Sequence, residues 1–328
     1  MTESNIANSE GSSRFSYTAK GGEYFGLAIK TFFLTIFTLG IYWFWGRVKI
    51  IKFYYNNTKL QGASFDYHAT GKEKFIGFLK GVGILLSFGL INFLISYIIT
   101  KIANASIANT ISIFVTYVVI FTALPFVIIL SLRFRLSRTS FNGIRFQFLG
   151  DPKEFLILFL KSLGLTIITL GFYYPWFLVK ITTYIAQNSL YGNHAFDLRL
   201  KAEELFIIFL KGFFFTLFTF GIYFFWFRAN VFNFFWNNYY FQNGKTSSNL
   251  TGGKLFLTAI KSIGLMIITF GFGFAWVIIM NQRVFIESIS FSAPIDFDAI
   301  SNIPLKPGSA TLDSLGGDAL DSFGSIVG

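Results

Sequence analysis

Lys30, Lys80, Lys161, Lys211 and Lys261 each stand six or seven residues into an apolar run, with successive spacings of 50, 81, 50 and 50 residues. A charge so placed does one of two things. It snorkels on its four-carbon stem to a layer of lipid headgroups, or it turns inward and attracts an anion along a polar path. A second polar set repeats with the lysines. Counted from Trp45, Trp176, Trp226 and Trp276, offsets of four, seven and eleven give Lys49, Lys52 and Asn56; Lys180, Thr183 and Gln187; Asn230, Asn233 and Asn237; and Met280, Arg283 and Glu287. The second unit carries Phe126 in place of the Trp, and the same offsets reach Leu130, Arg133 and Ser137. Spacings of three and four put each set on one helical face. Such a stripe either lines a wet interior or hydrogen-bonds arm to arm.

Enzyme signatures are missing, and no enzymatic activity, cofactor or metal is expected. His68 and His194 fall at different repeat offsets, no H-x-x-H or H-E-x-x-H is present, and no Gly-rich phosphate loop joins a strand to a helix. Asp66 and Asp197 each follow a connector Phe by one residue, a repeated structural position more than a carboxylate dyad. The absence of Cys removes disulfides, thiolate metal sites and Cys nucleophiles together.

The surrounding composition says where these residues must sit. Of 328 residues, 53% are hydrophobic, 20% aromatic and 13% charged, against roughly 25% charged in a soluble domain. Forty-six Phe would leave large apolar patches on a water-facing surface, so the chain reads as an integral membrane protein. Its net charge of +11 then faces anionic headgroups rather than nucleic acid.

The elements follow from the repeat. Ten residues after four of the lysines comes a Gly (Gly40, Gly171, Gly221, Gly271), preceded two residues earlier by Thr38, Thr169, Thr219 and Thr269. Phe126 stands 35 residues before Lys161, as three of the Trp stand before their next Lys, so an insertion of 31 residues lies between Lys80 and Phe126. That stretch holds two long apolar runs, 75–98 and 111–132, joined by 101–109. The second run is about 33 Å long as helix, enough to cross a hydrocarbon core. The second unit is thus a helical hairpin, and the other four are expected to be hairpins that turn at Thr-x-Gly. Their arms, such as 24–39 and 41–56, reach about 24 Å, which leaves tilted, bilayer-thinning and re-entrant arrangements open. The connectors after each hairpin carry the basic residues, whereas the turns carry only Lys101. Hairpins put every basic connector on one side, in the cytoplasm; single crossings would alternate them.

Connectors share a further pattern: Thr58-x3-Gly62-x2-Phe65-x-Tyr67 recurs as Thr139-x3-Gly143-x2-Phe146-x-Phe148, and loosely as Tyr191-Gly192 to Phe196. Short β-hairpins or extended caps are expected there. The fourth connector, 243–253, reads as turn alone.

The phrase Thr38-Leu39-Gly40-Ile41-Tyr42-Trp43-Phe44-Trp45, repeated as Thr219-Phe220-Gly221-Ile222-Tyr223-Phe224-Phe225-Trp226, precedes a basic helix and a G-x-x-F-x-Y connector. Over roughly 15–298 it resembles the YjgN-like family of bacterial inner-membrane proteins, a domain of unknown function. The resemblance implies inner-membrane location and a polytopic α architecture; it carries over no catalytic residues. Pro175 beside Trp176, and Gly273 where Tyr would stand, depart from the pattern.

The expectation is an all-α polytopic membrane protein of five repeated helical hairpins with short β-like cytoplasmic connectors. A polar segment (1–22) precedes a membrane domain of five repeats (23–73, 74–153, 154–203, 204–253, 254–298), and a disordered acidic tail (299–328) follows. The first segment lacks the apolar core of a signal peptide, and both termini are expected in the cytoplasm. Anionic lipid headgroups are the expected partners. Two functions remain: a non-enzymatic scaffold that organises lipids or proteins, and a transporter or channel-like path for a small anion. They differ in whether the five lysines converge on one cavity.

Overall fold

The computed structural model describes residues 13–102, 104–293, 295–297 and 299–301; residues 1–12 and 302–328, which carry most of the expected acidic tail, lie outside the described residues. Among the described residues ten helices come in consecutive packed pairs. The short pairs are α1 (Gly21–Phe37) with α2 (Trp43–Asn56), α5 (Pro152–Ile168) with α6 (Tyr174–Gln187), α7 (Ala202–Phe218) with α8 (Phe224–Trp236), and α9 (Gly252–Ile268) with α10 (Phe274–Ile286). The long pair is α3 (Gly71–Ile102) with α4 (Ala105–Ser137).

Local chemistry explains why each short pair reverses at Thr-x-Gly. Just past the Thr that caps the first helix, Leu39, Leu170, Phe220 or Phe270 is held at φ 51°, 49°, 50° and 50°, and the following Gly takes φ 94°, 92°, 92° and 90°. The Gly N–H then bonds the carbonyl five residues back, as from Gly40 to Thr35 at 2.7 Å, closing the orphan carbonyls of the helix end. The Thr hydroxyl caps the other side. It accepts the N–H four residues on: Thr38 from Tyr42 at 2.8 Å, Thr169 from Tyr173 at 3.0 Å, Thr219 from Tyr223 at 2.9 Å and Thr269 from Gly273 at 2.7 Å. One tripeptide therefore ends one helix and starts the next. Across the pairs, Thr31 faces Gly46, Gly212 faces Phe227, and Phe159 meets Phe177 edge-on at 5.3 Å.

In the long pair the insertion lengthens both arms. Asn104 caps α4 by accepting the Ile107 N–H at 2.9 Å. Within the apolar hairpin Asn92 donates to Thr116 Oγ1 at 3.0 Å and accepts from Ser112 at 2.6 Å, so its amide is satisfied without water. Among the described residues, α3 and α4 are the two helices long and apolar enough to cross a membrane.

The connectors differ from expectation. They are not separate caps on an all-α protein but strands of one sheet system: β1 (Ser13–Arg14), β2 (Ser16–Tyr17), β3 (Thr58–Leu60), β4 (Ala63–Tyr67), β5 (Thr139–Phe141), β6 (Ile144–Phe148), β7 (Ser189–Tyr191), β8 (His194–Ala195), β9 (Asp197–Leu198), β10 (Tyr239–Phe241), β11 (Gly244–Ser248) and β12 (Ile289–Phe291). The orders are β1-β12-β11-β10-β9 and β2-β3-β4-β5-β6-β7-β8. β1 and β2 are pieces of one strand bent at Phe15, and β8 and β9 of one bent at Phe196, so the two sheets join at both corners and close into a barrel. The fourth connector, expected as turn alone, forms β11, paired with β10 and β12. Its Gly-Lys-Thr-Ser-Ser lacks the alternating aromatics that marked the others; backbone pairing to two neighbours supplies the strand. Residues 13–17, inside the polar segment, likewise supply a strand that pairs β12 on one side and β3 on the other. Barrel closure is matched by the helices. Each packs on its chain neighbours, and α10 packs on α1.

The four turn glycines have no atom within 4 Å of a built Cβ, so the backbone, not space, requires Gly there. Gly221→Val is expected to cost about 1–2 kcal/mol through its left-handed backbone. Thermal unfolding in mild detergent checks this. A wild-type melting temperature would contradict it.

Candidate functional site

The barrel interior is built by two repeat positions. Leu60, Phe141, Tyr191, Phe241 and Phe291 are buried inside it. Beside them stand Phe15, Phe65, Phe146 and Phe196, and the fifth place is held by Thr246. The two sets interlock, with Phe65 on Phe141 at 4.5 Å, Phe146 on Tyr191 at 4.8 Å and Phe196 on Phe241 at 4.9 Å. Strand alternation explains it, since every second residue of a strand faces inward. Tyr191 keeps its one polar atom satisfied by donating its hydroxyl to the Phe141 carbonyl at 2.9 Å. Burial pushes the phenol from 10.0 up to about 12.

A cleft of about 520 Å³ with a charged border lies where β1 and β2 meet the start of α9. Arg14, Lys254 and Lys261 border it together with Glu287 and Asn249. Three cations against one carboxylate suit an anionic group at the junction of helices and barrel.

The sequence-singled residues fall into three groups. Lys30, Lys161, Lys211 and Lys261 are exposed and Lys80 is half-buried; none of the five lines the barrel lumen, and Lys261 alone borders the basic cleft. On the stripe, Lys49 and Lys180 donate to the phenol oxygens of Tyr42 and Tyr173 at 2.8 and 2.6 Å. Three of the side chains seven residues after the repeat aromatic bond backbone carbonyls just ahead of a following helix: Arg133 to Gly150 at 2.6 Å, Asn233 to Leu250 at 2.8 Å and Arg283 to Ala19 at 2.9 Å. These bonds tie one unit to the next, and Arg283 ties the last to the first. Lys52 is half-buried and Asn230 is exposed.

The repeat Trp residues make the same inter-unit joints. Trp45 packs on Gly71, Trp226 on Gly252 and Trp276 on Gly21, where a Cβ would strike the indole, and Trp176 lies 5.3 Å from Phe206. Gly40, Gly171, Gly221 and Gly271 sit at the exposed tips. His68 Nε2 pairs with Ser140 Oγ at 2.7 Å, and Asp197 with Arg199 at 2.7 Å. Phe15, Leu60, Phe141, Phe241, Phe291 and Thr246 are members of the site that the sequence pattern did not single out. The 50- and 81-residue spacings that link them to Phe65, Phe146, Tyr191 and Phe196 were the available signal.

The chain matches the family described as "Bacterial protein of unknown function (DUF898)" over residues 12–226 and again over 212–317. Among curated proteins it is similar to the Inner membrane protein YjgN of Salmonella typhimurium, 32% identical over 132 residues, covering 40% of this chain and 30% of that protein. It is also similar to the Inner membrane protein YjgN of Escherichia coli (strain K12), 28% identical over 141 residues, covering 43% and 32%. The matches thus span about a third of these relatives' length. No solved structure matches.

Because Tyr191 ionises near 10.0 when unfolded and at about 12 when folded, its contribution to stability is complete below the lower value and falls as pH rises through the higher one. Tyr191→Phe is expected to cost about 1 kcal/mol at neutral pH and to make the alkaline decline shallower. Melting curves between neutral pH and pH 12 test this; an unchanged alkaline slope would contradict the burial of this phenol.

Proposed function

The chain belongs to the DUF898 family, and we propose that it is an integral protein of the bacterial inner membrane that organises lipids or partner proteins without enzymatic or transport activity. In this reading the consecutive helix pairs are five repeated membrane hairpins, the barrel lies in the cytoplasm, and both termini are on that side. The name of these relatives, inner membrane protein, supports the location. The hairpin tips support immersion, since Leu39, Leu170, Phe220 and Phe270 are 94%, 91%, 99% and 92% exposed, a costly arrangement in water. Basic side chains support the orientation. Lys59, Arg145, Arg199 and Lys245 lie on or beside the barrel strands, and the four short tips carry no charge. At 17 residues the first short arms reach about 25 Å, less than the roughly 30 Å core, whereas α3 reaches about 48 Å. The long hairpin therefore crosses, and the short ones enter from the cytoplasmic leaflet.

The observation that carries the scaffold reading over the transporter is the apolar, largely aromatic lining of the barrel. A path for a hydrated anion needs polar lining along its axis, and the lumen is lined by Phe, Tyr, Leu and Ile. The five lysines that would have formed a path stand on separate helices, four of them exposed and Lys80 half-buried. The basic cleft at Arg14, Lys254 and Lys261 gives anionic headgroups a place to bind.

Two measurements test this. In proteoliposomes, chloride, phosphate and acetate fluxes should equal those of empty vesicles, and Lys211→Met should leave both flux and melting unchanged; flux above empty vesicles that Lys211→Met abolishes would favour a carrier. In intact cells, single cysteines at Asn57, Ser140, Asn193, Ser248 and Ile41 should resist an impermeant thiol reagent added outside, while Lys101→Cys at the long tip should react. Labelling at Asn57 or Ser248 would overturn the topology.

A further inference from the structure

Phe15, Phe65, Phe146 and Phe196 form a row around the barrel lumen. Successive ring centroids lie 6.3 Å apart at interplanar angles of 13°, 26° and 7°. The row breaks at its fifth place. Thr246 stands there, and its hydroxyl turns aside to the backbone carbonyl of Trp236. A small side chain where four units carry a ring leaves space, and a cavity of about 370 Å³ occupies the lumen bordered by Thr246. That volume is in the range of sites for small apolar ligands.

The two mouths of the barrel differ. On the side of the strand turns, described residues that follow β12 lie across the opening. Ile295, Phe297 and Ile300 pack on the barrel core. Gln242 and Asp296 bond each other reciprocally at 3.0 and 3.1 Å, and the Ser301 N–H donates to Asn193 at 3.1 Å. Gly192, at φ 56°, has no room for a Cβ beneath Ile300. On the opposite side the cavity is bordered by Leu136, Ile185 and Trp236, in the last turns of α4, α6 and α8. Trp236 also borders a largely apolar trough of about 470 Å³ that runs past Leu178, Phe232 and Phe235, with Arg228 as its charged residue, set over the rings of Phe224 and Phe285. The cavity thus reaches the helix ends on one side and is crossed by chain on the other.

We propose that the lumen is a binding site for a single acyl chain, drawn from the bilayer through the helix-side mouth. The inference rests on the reading that the helices lie in the membrane. An apolar chain suits the walls, since a polar solute would leave its hydrogen bonds unmet among Phe, Leu and Ile. A long flexible chain suits a cavity whose border at Trp236 is shared with a trough among the helices. The substitution of Thr for Phe at one of five equivalent places makes the room for it.

Full-length protein purified in mild detergent and incubated with dioleoyl phosphatidylglycerol vesicles, then analysed by native mass spectrometry, tests the site. Wild type should retain one acyl-bearing adduct per chain, and the adduct's mass distinguishes a phospholipid from a free fatty acid. Thr246→Phe restores the missing ring. It should lower occupancy at least tenfold while melting no lower than wild type; if that variant does not fold, Ile185→Trp at the mouth should give the same loss. An unloaded wild type would overturn the proposal, as would equal occupancy in a folded Thr246→Phe variant. So would binding that begins only when the chain is cut after Ser301, which would give the lumen to the chain's own following residues. The cysteine-labelling pattern is untouched by any of these results, so the site and the membrane reading fail separately.

Discussion

Backbone pairing of one short bent strand, Ser13 to Tyr17, holds the ends of the repeat array together. Its first half bonds β12 and its second half bonds β3. Strand edges left open are templates for pairing with other chains, and an array of five hairpins in a line would have two. Closure removes both. Once first and last units are neighbours, the same joint recurs at the helices. Arg283 bonds the Ala19 carbonyl and Trp276 packs on Gly21, as Asn233 and Trp226 do for Leu250 and Gly252 one unit earlier. The aromatic lumen then follows from strand alternation, because inward positions converge only when the sheet is closed.

Much of the local architecture was legible in the sequence. Thr-x-Gly marked every short reversal because its two functions, a left-handed backbone at Gly and a hydroxyl that caps the next helix, depend on adjacent residues. The insertion between Lys80 and Phe126 was legible because the repeat register resumes on either side of it. Closure was not legible. It depends on residues nearly the whole described chain apart, and its first strand lies in a segment whose Ser-rich composition resembles an unstructured end. β11 was hidden for a related reason: its Gly, Thr and Ser carry no inward pattern, and its two neighbours supply the pairing. The polar stripe was found, and in three of five units its seventh position, Arg133, Asn233 or Arg283, bonds a backbone carbonyl ahead of a helix; such carbonyls are invisible to side-chain periodicity.

The functional reading joins two apolar features on opposite ends of the helices. Exposed tips such as Phe220 and Leu39 demand a lipid environment, and the lumen offers an apolar interior beyond it. Between them lies a basic rim with Arg14, Lys254 and Lys261 beside the strands. In the row of Phe15, Phe65, Phe146 and Phe196 the ring is missing at the fifth place, and Thr246 there borders the cavity. Thr246 is therefore the residue at which the barrel departs from a purely structural plug.

Closure of the first strand on the last is the claim on which this account stands. Arg14 and Ser290 are directly paired in the β1–β12 register, and the chain has no native Cys. Oxidising a variant with both positions changed to Cys should therefore give an intramolecular disulfide, seen as a reduction-sensitive mobility shift of the monomer. Failure to cross-link, or cross-linking only between two chains, would contradict the closed barrel.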